Sequence, residues 1–437
     1  MKETEKTFLG KVASDWQVVH LKRIGKLKGG SGFPHDEQGV SDAELPFYKV
    51  KHLHSARYLN DCDNSVSLET ARKLGAEIMP QGTIVFAKVG AALLLNRFRI
   101  LTRPSCIDNN MMGLVFDHRC DRDFLFYLLN QIEFAELFNQ GPVPSVNSKQ
   151  IGYIKIPLPL LSEQKRISAY LDESCLAIDG AIESKRKQLE TLSSLRKSTI
   201  QQAVTKGLRP KQKTKDSGVK WLGSIPSHWN VQKLKRVFSH VDYGISQSTE
   251  QKGKFAVLKM GNIFKGEIRF TKIEYVSEVP ADLILQKNDL LYNRTNSLDQ
   301  VAKVGIFRGE RSDNVTFASY LVRLRANRNN HPSYLNYLLN TEIFLGLARK
   351  MAIPSVQQAN LNPTRYCRLE IPVPPLSEQV EIASYLDRKS EGISEIARSL
   401  NDQIATLLAF RRSLIFECIT GRRRISEANL SKVETYV

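Results

Sequence analysis

The chain has 437 residues, 42% apolar and 25% charged, with a formal net charge of +18. That length supports two or three domains with ordinary cores, and no run of 18 apolar residues offers a membrane span. So large a positive charge favours a polyanionic partner, nucleic acid above all, because each neutralised phosphate releases counterions. The start, MKETEKTFLGK, lacks the apolar core of a secretory signal. Six cysteines (62, 106, 120, 175, 367 and 418) without a CxxC pair predict buried thiols in a reducing cytoplasm, not disulfides or a zinc site.

In chain order, FLGKVASDWQVVHLKRI (8–24) is followed by LKGGSGFP (27–34). The latter opens no helix and reads as a flexible loop, not a nucleotide cradle. FYKVKHL (47–53) and GTIVFAKVG (82–90) are short β-branched or aromatic runs bounded by turn residues, so they predict strands. The HLH of 52–54 has no acidic or cysteine partner close in sequence and predicts ordinary satisfied histidines, not a metal site. FLFYLLNQIEFAELF (124–138) predicts a helix with one apolar face. VPSVNSKQIGYIKIPLP (143–159) then leads into LSEQKRISAYLD and a long helix over 162–207.

After an exposed Lys-rich linker, KGLRPKQKTKDSGVKW (206–221), the whole order repeats. WLGSIPSHWNVQKLKRV (221–237) answers 8–24, VLKMGNI (257–263) answers 47–53, and NDLLYNRTN (288–296) answers 82–90. YLNYLLNTEIFLGLA (334–348) answers the first helix, and IPSVQQANLNPTRYCRLEIPVP (353–374) answers 143–159 with five extra residues. IPVPPLSEQVEIASYLD (371–387) shares 11 of 17 positions with IPLPLLSEQKRISAYLD (156–172) and opens a second long helix over 377–422. Residues 423–437 form a polar, loose tail.

Apolar residues recur every three, four or seven positions in both long helices. They include Ile167, Leu171, Ile178, Ile182, Leu195 and Val204, then Ile382, Leu386, Ile393, Ile396, Phe410 and Ile419. Ser162 and Ser377 are the expected N-caps, and Gly207 and Gly421 the C-terminal stops. At about 44 residues, each helix would run roughly 65 Å. A lone amphipathic helix cannot cover its stripe. Domain, helix, domain, helix closes compactly when the second helix returns antiparallel to the first; the alternative is a helix packed on its own domain. The expected fold class is α+β, with homologous mixed α/β domains at 1–161 and 208–376, spacer helices between and after them, and an internal pseudo-twofold repeat.

Catalytic constellations are missing. There is no GxxxxGK[ST] phosphate loop and no GxSxG elbow, and LNPTRY (361–366) lacks the second proline and adjacent aromatic of an amino-methyltransferase motif. The chain reads as a recogniser, not an enzyme.

The doubled PLSEQ…I…YLD helix start, preceded by Gly-x-[Ile/Val]-x-x-x-Trp and a variable α/β unit, resembles the specificity subunit of type I restriction-modification systems over almost the whole chain. The first copy departs from that pattern at KVASDW and PLPLL. The resemblance implies two target recognition domains that each read one half of a bipartite DNA site, with long antiparallel helices setting the gap. It further implies docking of two methyltransferase subunits, which carry S-adenosylmethionine and methylate an adenine in each half-site. Two motor and nuclease subunits, using ATP and Mg, can join; this chain itself would hold no cofactor and no metal. The rival readings are a DNA-binding scaffold without such partners, an enzyme acting on nucleic acid, and a coiled-coil interaction protein without DNA readout.

Lys, Arg, Asn and Gln pair with base edges and phosphates, so such residues at recurring loops are the DNA-binding candidates. In the first copy they are Lys49, Lys51, Lys88, Arg97, Arg99, Ser145, Asn147 and Lys149. In the second they are Lys259, Asn262, Arg294, Asn296, Arg308, Ser355, Gln357 and Gln358. Lys88 and Arg294 lead, since both follow an apolar strand at equivalent positions. Tyr170, Leu195, Tyr385 and Phe410 are the candidate partner contacts on the long helices.

Overall fold

The computed structural model describes residues 7–54, 56–136, 143–309, 314–356 and 358–427. The chain divides into two compact units, Met1–Lys185 with Asp402–Val437, and Arg186–Asn401. The long helices run over Leu161–Lys206 and Leu376–Ile419, and each contributes to both units.

Both helices start one residue earlier than the serines suggest. The carbonyls of Leu160 and Pro375 accept the N–H of Gln164 and Gln379, each at 3.0 Å, which places Ser162 and Ser377 inside the first turn and not at the cap. The anchoring falls to the next two residues of the motif. Gln164 is fully buried; its Oε1 accepts the Asp121 N–H at 2.8 Å, and its Nε2 donates to the carbonyls of Pro159 and Arg119. Gln379 repeats this with the His331 N–H, the Pro374 carbonyl and Asn330 Oδ1. Glu163 accepts the indole N–H of Trp16 and Glu378 that of Trp229, each at 3.1 Å. The conserved spacing of the two copies therefore ties each helix start to the tryptophan some 150 residues earlier.

The glycine stops are set by a left-handed backbone and lie close to the same tryptophans. Gly207 and Gly421 have φ of +74° and +71°, and a Cβ on either would meet the Trp229 or Trp16 ring at 3.2 or 3.0 Å. In the second unit, the end of the first long helix packs on the start of the second, with Ala203 and Val204 in one core with Ile382 and Leu386. In the first unit, Leu414, Ile415, Cys418 and Ile419 share a core with Ile167, Leu171 and Ile178. There Arg424 meets Glu163, Arg411 meets Asp179 and Lys185 meets Gln403, so rising numbers on one helix face falling numbers on the other. The pairing is antiparallel. It also makes the first unit a permuted version of the second: its last segment, 402–427, does what 186–207 does for the other.

Each unit is mixed α/β. The first has a five-stranded sheet in the order 25–29, 111–116, 84–87, 98–101, 58–59, and the second a six-stranded sheet in the order 238–243, 321–326, 290–293, 304–306, 267–268, 263–264. Several elements are shorter than predicted. The strands of 47–53 and 257–263 stop at Tyr48 and Leu258 and turn into 3-10 helices, because His52 Nδ1 and Asn262 Oδ1 accept the N–H of Lys49 and Lys259 and close the turn. The helix of 334–348 is two, Pro332–Leu339 and Glu342–Lys350, the second capped by Thr341. Its first-unit counterpart is Arg122–Leu129 followed by the 3-10 turn Phe134–Glu136; residues 137 and 138 lie outside the described residues.

The linker and the first residues of the tail make defined contacts. The Lys-rich linker holds a strand, Thr214–Asp216, paired with Ser224–Pro226, while its lysines stay exposed. The tail begins with Arg424 bound to Asp15 and Glu163 and with Ile425 buried in the first core. LKGGSGFP is likewise not a free loop. Gly29 ends a sheet strand, and a Cβ on Gly30 would lie 2.0 Å from the Asp108 carbonyl, so the close backbone approach demands glycine. Among the described residues no helix is long and apolar enough to cross a membrane.

Replacing Gln379 by Leu keeps the volume but strands the buried His331 N–H. Urea unfolding of Gln379→Leu should show a loss of about 1–3 kcal/mol; an unchanged midpoint would show that the amide anchors nothing.

Candidate nucleic-acid interface

The two leading cations sit at matching backbone positions. The Lys88 N–H donates to the Asn110 carbonyl at 2.8 Å and its own carbonyl accepts the Val146 N–H at 2.9 Å. The Arg294 N–H donates to the Tyr320 carbonyl at 3.0 Å and its carbonyl accepts the Leu361 N–H at 2.8 Å. Both leave the central strand of their sheet at its end, where loops gather.

This register revises the alignment of the following segment. Asn147 and Asn362 are the true counterparts, since each caps a short helix by accepting an N–H, of Gln150 and Thr364 respectively. The five extra residues of the second copy therefore lie before this point, within the hairpin of Ile353–Ser355 and Gln358–Asn360. Ser355 and Gln358 face each other across that hairpin and are exposed, beside the outward-facing Val356; Gln357 lies outside the described residues. Asn296 belongs to the same small sheet, opposite Ala359, with its Oδ1 accepting the Ser297 N–H. Among the described residues of the first unit, an isolated bridge, Val89 to Ser145, holds this place.

The remaining candidates divide by what already engages them. Lys51 binds Asp63, Lys259 binds Glu274, and Arg308 grips Glu267 and the Ser333 hydroxyl. Lys49 donates to Gln38, Arg97 bonds His54, and Arg99 donates to the Phe98 carbonyl. Burial, then the neighbouring Arg97, lowers the Arg99 pKa from its ordinary value. Lys149 is exposed. Asn262 is removed from the set of readers: it is buried, its Oδ1 takes the Lys259 N–H, and its Nδ2 donates to the carbonyls of Arg269 and Thr271 at 2.8 Å. Asn147 is likewise committed as a cap through its oxygen. Lys88 has no side-chain hydrogen bond or ion pair among the described residues. Arg294 has one neutral hydrogen bond, from Nη1 to the Ser319 carbonyl at 3.0 Å.

Sequence reading passed over the residues around Arg294. Tyr243 and Tyr320 are 46% and 48% exposed beside it, and Lys303 and Arg349 flank the loop that follows. Burial, and then Arg349, holds the Lys303 pKa below the usual lysine value. These residues come from a strand end, a turn, a loop and a helix, so no local motif announces them.

The histidine region needs a separate reading. Cys62 and Asp63, ten residues beyond His52, fold back so that donor atoms of all three lie within 4.8 Å of one another. Each of the three already has a partner within the chain. Because His52 Nδ1 accepts the Lys49 N–H, its proton lies on Nε2, facing Asp63 at 2.6 Å. The Cys62 thiol donates to backbone carbonyls, and burial raises its pKa, so it is no thiolate.

On the long helices, Tyr170 is turned into its own unit's core and Tyr385 is partly buried against the other core, so neither presents a free face. Leu195 and Phe410, at equivalent positions, are 51% and 50% exposed, and Ile396, expected on the buried stripe, is exposed too. A pair of helices covers only a narrow seam, and these residues fall outside it.

The family profile described as the type I restriction modification DNA specificity domain matches residues 13–191 and 226–406. The type I restriction enzyme MjaVIII specificity subunit of Methanocaldococcus jannaschii is 28% identical over 431 residues, 96% of this chain and 95% of that protein. The EcoKI specificity subunit of Escherichia coli is 22% identical over 94% of this chain and 90% of its own. A solved chain of a type I R-M system, studied for complex assembly and conformational transition, matches with a TM-score of 0.71 at 14% identity, over 94% of this chain and 98% of that one. The HsdS subunit from Thermoanaerobacter tengcongensis matches with a TM-score of 0.56 at 16% identity, over 95% and 100%. At such identities the structures speak for the fold.

Asn262→Ala should lower stability by about 1–3 kcal/mol, because the Lys259 N–H and two carbonyls lose their partner. Base preference in a DNA-binding assay should stay as it is; a shift in preference would return Asn262 to the readers.

Proposed function

The chain belongs to the type I restriction modification DNA specificity family, and we propose that each of its units reads one half of a bipartite DNA site. The observation that carries this reading is the repetition, at one strand end in both units, of a cation without a carboxylate partner, Lys88 and Arg294. The +18 net charge supplies the sequence-independent attraction to phosphates. Around the repeated cation the loops differ, so the two half-sites differ in sequence.

The antiparallel helices act as the spacer, and the gap is read as distance alone. Two methyltransferase subunits dock on the helices, with Leu195 and Phe410 as equivalent apolar contacts. Those subunits bring the S-adenosylmethionine and methylate an adenine in each half-site, while this chain contributes recognition and no catalytic group. Motor and nuclease subunits with ATP and Mg complete a restriction complex in the cytoplasm.

Sequencing of methylated adenines in a host expressing this chain with its methyltransferase should return one two-part motif with a fixed gap. Inserting a single base pair into that gap should cut binding by at least tenfold. A contiguous motif, or indifference to the insertion, would end the spacer reading. Leu195→Asp and Phe410→Asp together should abolish co-purification of the methyltransferase without changing the unfolding midpoint; retained co-purification would place docking elsewhere.

A further inference from the structure

The two units share a backbone at the cationic strand end but not the side chains that surround it. Gly29 pairs with Met112 in the first sheet, and Tyr243 pairs with Val322 at the same place in the second. Lys88 therefore stands beside a glycine, whose Cβ would lie 3.5 Å from its Nζ, whereas Arg294 stands over a tyrosine ring. Asn110, whose carbonyl receives the Lys88 N–H, corresponds to Tyr320.

The guanidinium of Arg294 is held from two sides by neutral groups. Its Cζ lies 5.1 Å from the Tyr243 ring centre, and Nη1 donates to the Ser319 carbonyl at 3.0 Å. Neither partner cancels the charge, and Nε and Nη2 have no partner among the described residues. The nearby arginines are spent differently: Arg308 on Glu267, Arg323 on Asp242 and Arg325 on Asp289. A planar fork with its orientation set and one edge unspent has the geometry that matches O6 and N7 of guanine in the major groove. A phosphate would be served as well by a rotating ammonium, which is what the first unit offers at Lys88.

We propose that Arg294 reads a guanine in the half-site bound by the second unit, with Tyr243 and the Ser319 carbonyl as positioning groups. The equivalent contact in the first unit is a lysine without a ring to orient it, so this guanine is specific to one half-site. The assignment rests on the reading of each unit as a half-site recogniser.

The test uses the full chain with its methyltransferase partner and duplexes carrying the mapped motif, with 7-deazaguanine replacing each guanine in turn. One guanine should emerge at which loss of N7 weakens wild-type binding by about 5- to 150-fold. At that guanine the replacement should cost Arg294→Ala nothing more, while the variant keeps its preference in the other half-site, which reports that it is folded. Tyr243→Leu, which keeps the guanidinium, should lose part of the discrimination between guanine and adenine at that position and none elsewhere. If Arg294→Ala weakens all duplexes equally, or no guanine couples to it, the residue holds phosphate and the proposal falls. If the wild-type complex shows no sequence preference at all, the half-site reading falls with it.

Discussion

The buried amides of Gln164 and Gln379 decide where each long helix begins and how it leaves its domain. Each amide satisfies an N–H of the loop before a domain helix and the carbonyl of the proline segment behind it. In a closed interior no water can replace those bonds, so the helix start and the loop move as one body. The neighbouring glutamate adds the tryptophan indole, and the tryptophan leaves little room for a side chain on the glycine at the arriving end of the other long helix. One short motif thereby locks four pieces of chain together, and the same lock appears in both units.

That lock leaves the rest of each domain free to diverge. The second unit buries Arg323 against Asp242, where the first has Gly113 packed beneath Met79. It adds a hairpin before Asn362 where the first has a single bridge. It sets an arginine on a tyrosine where the first sets a lysine beside a glycine. A buried ion pair is a poor source of stability on its own. Here, with the hairpin, it distinguishes two units that share one frame, as expected of two recognisers built on one scaffold.

Part of the site was legible in the sequence. Lys88 and Arg294 could be matched because each follows an apolar strand in a repeated order. Tyr243 and Tyr320 could not, since they reach Arg294 from another strand and from a turn, some 51 and 26 residues away in the chain. Asn262 is spent inside the fold for a chemical reason: the amide that suits a base edge also suits a vacant backbone N–H, and only the fold shows which it meets. Leu171 and Leu195 lay on one stripe by periodicity, yet one is buried and the other exposed, because periodicity gives a face and not what covers it.

By itself the sequence determined that the chain is one unit written twice, that a long helix follows each copy, and where glycine must end it. These features rest on interactions within a few residues: helical periodicity, turn chemistry and a repeated motif. Only the tertiary structure decided that the chain's last segment completes its first domain, with Arg424 meeting Glu163 across 261 residues. It also decided which cations are spent on carboxylates and which stay open. Charge pairing and the satisfaction of buried polar groups depend on neighbours brought together by packing, and linear order does not carry that information.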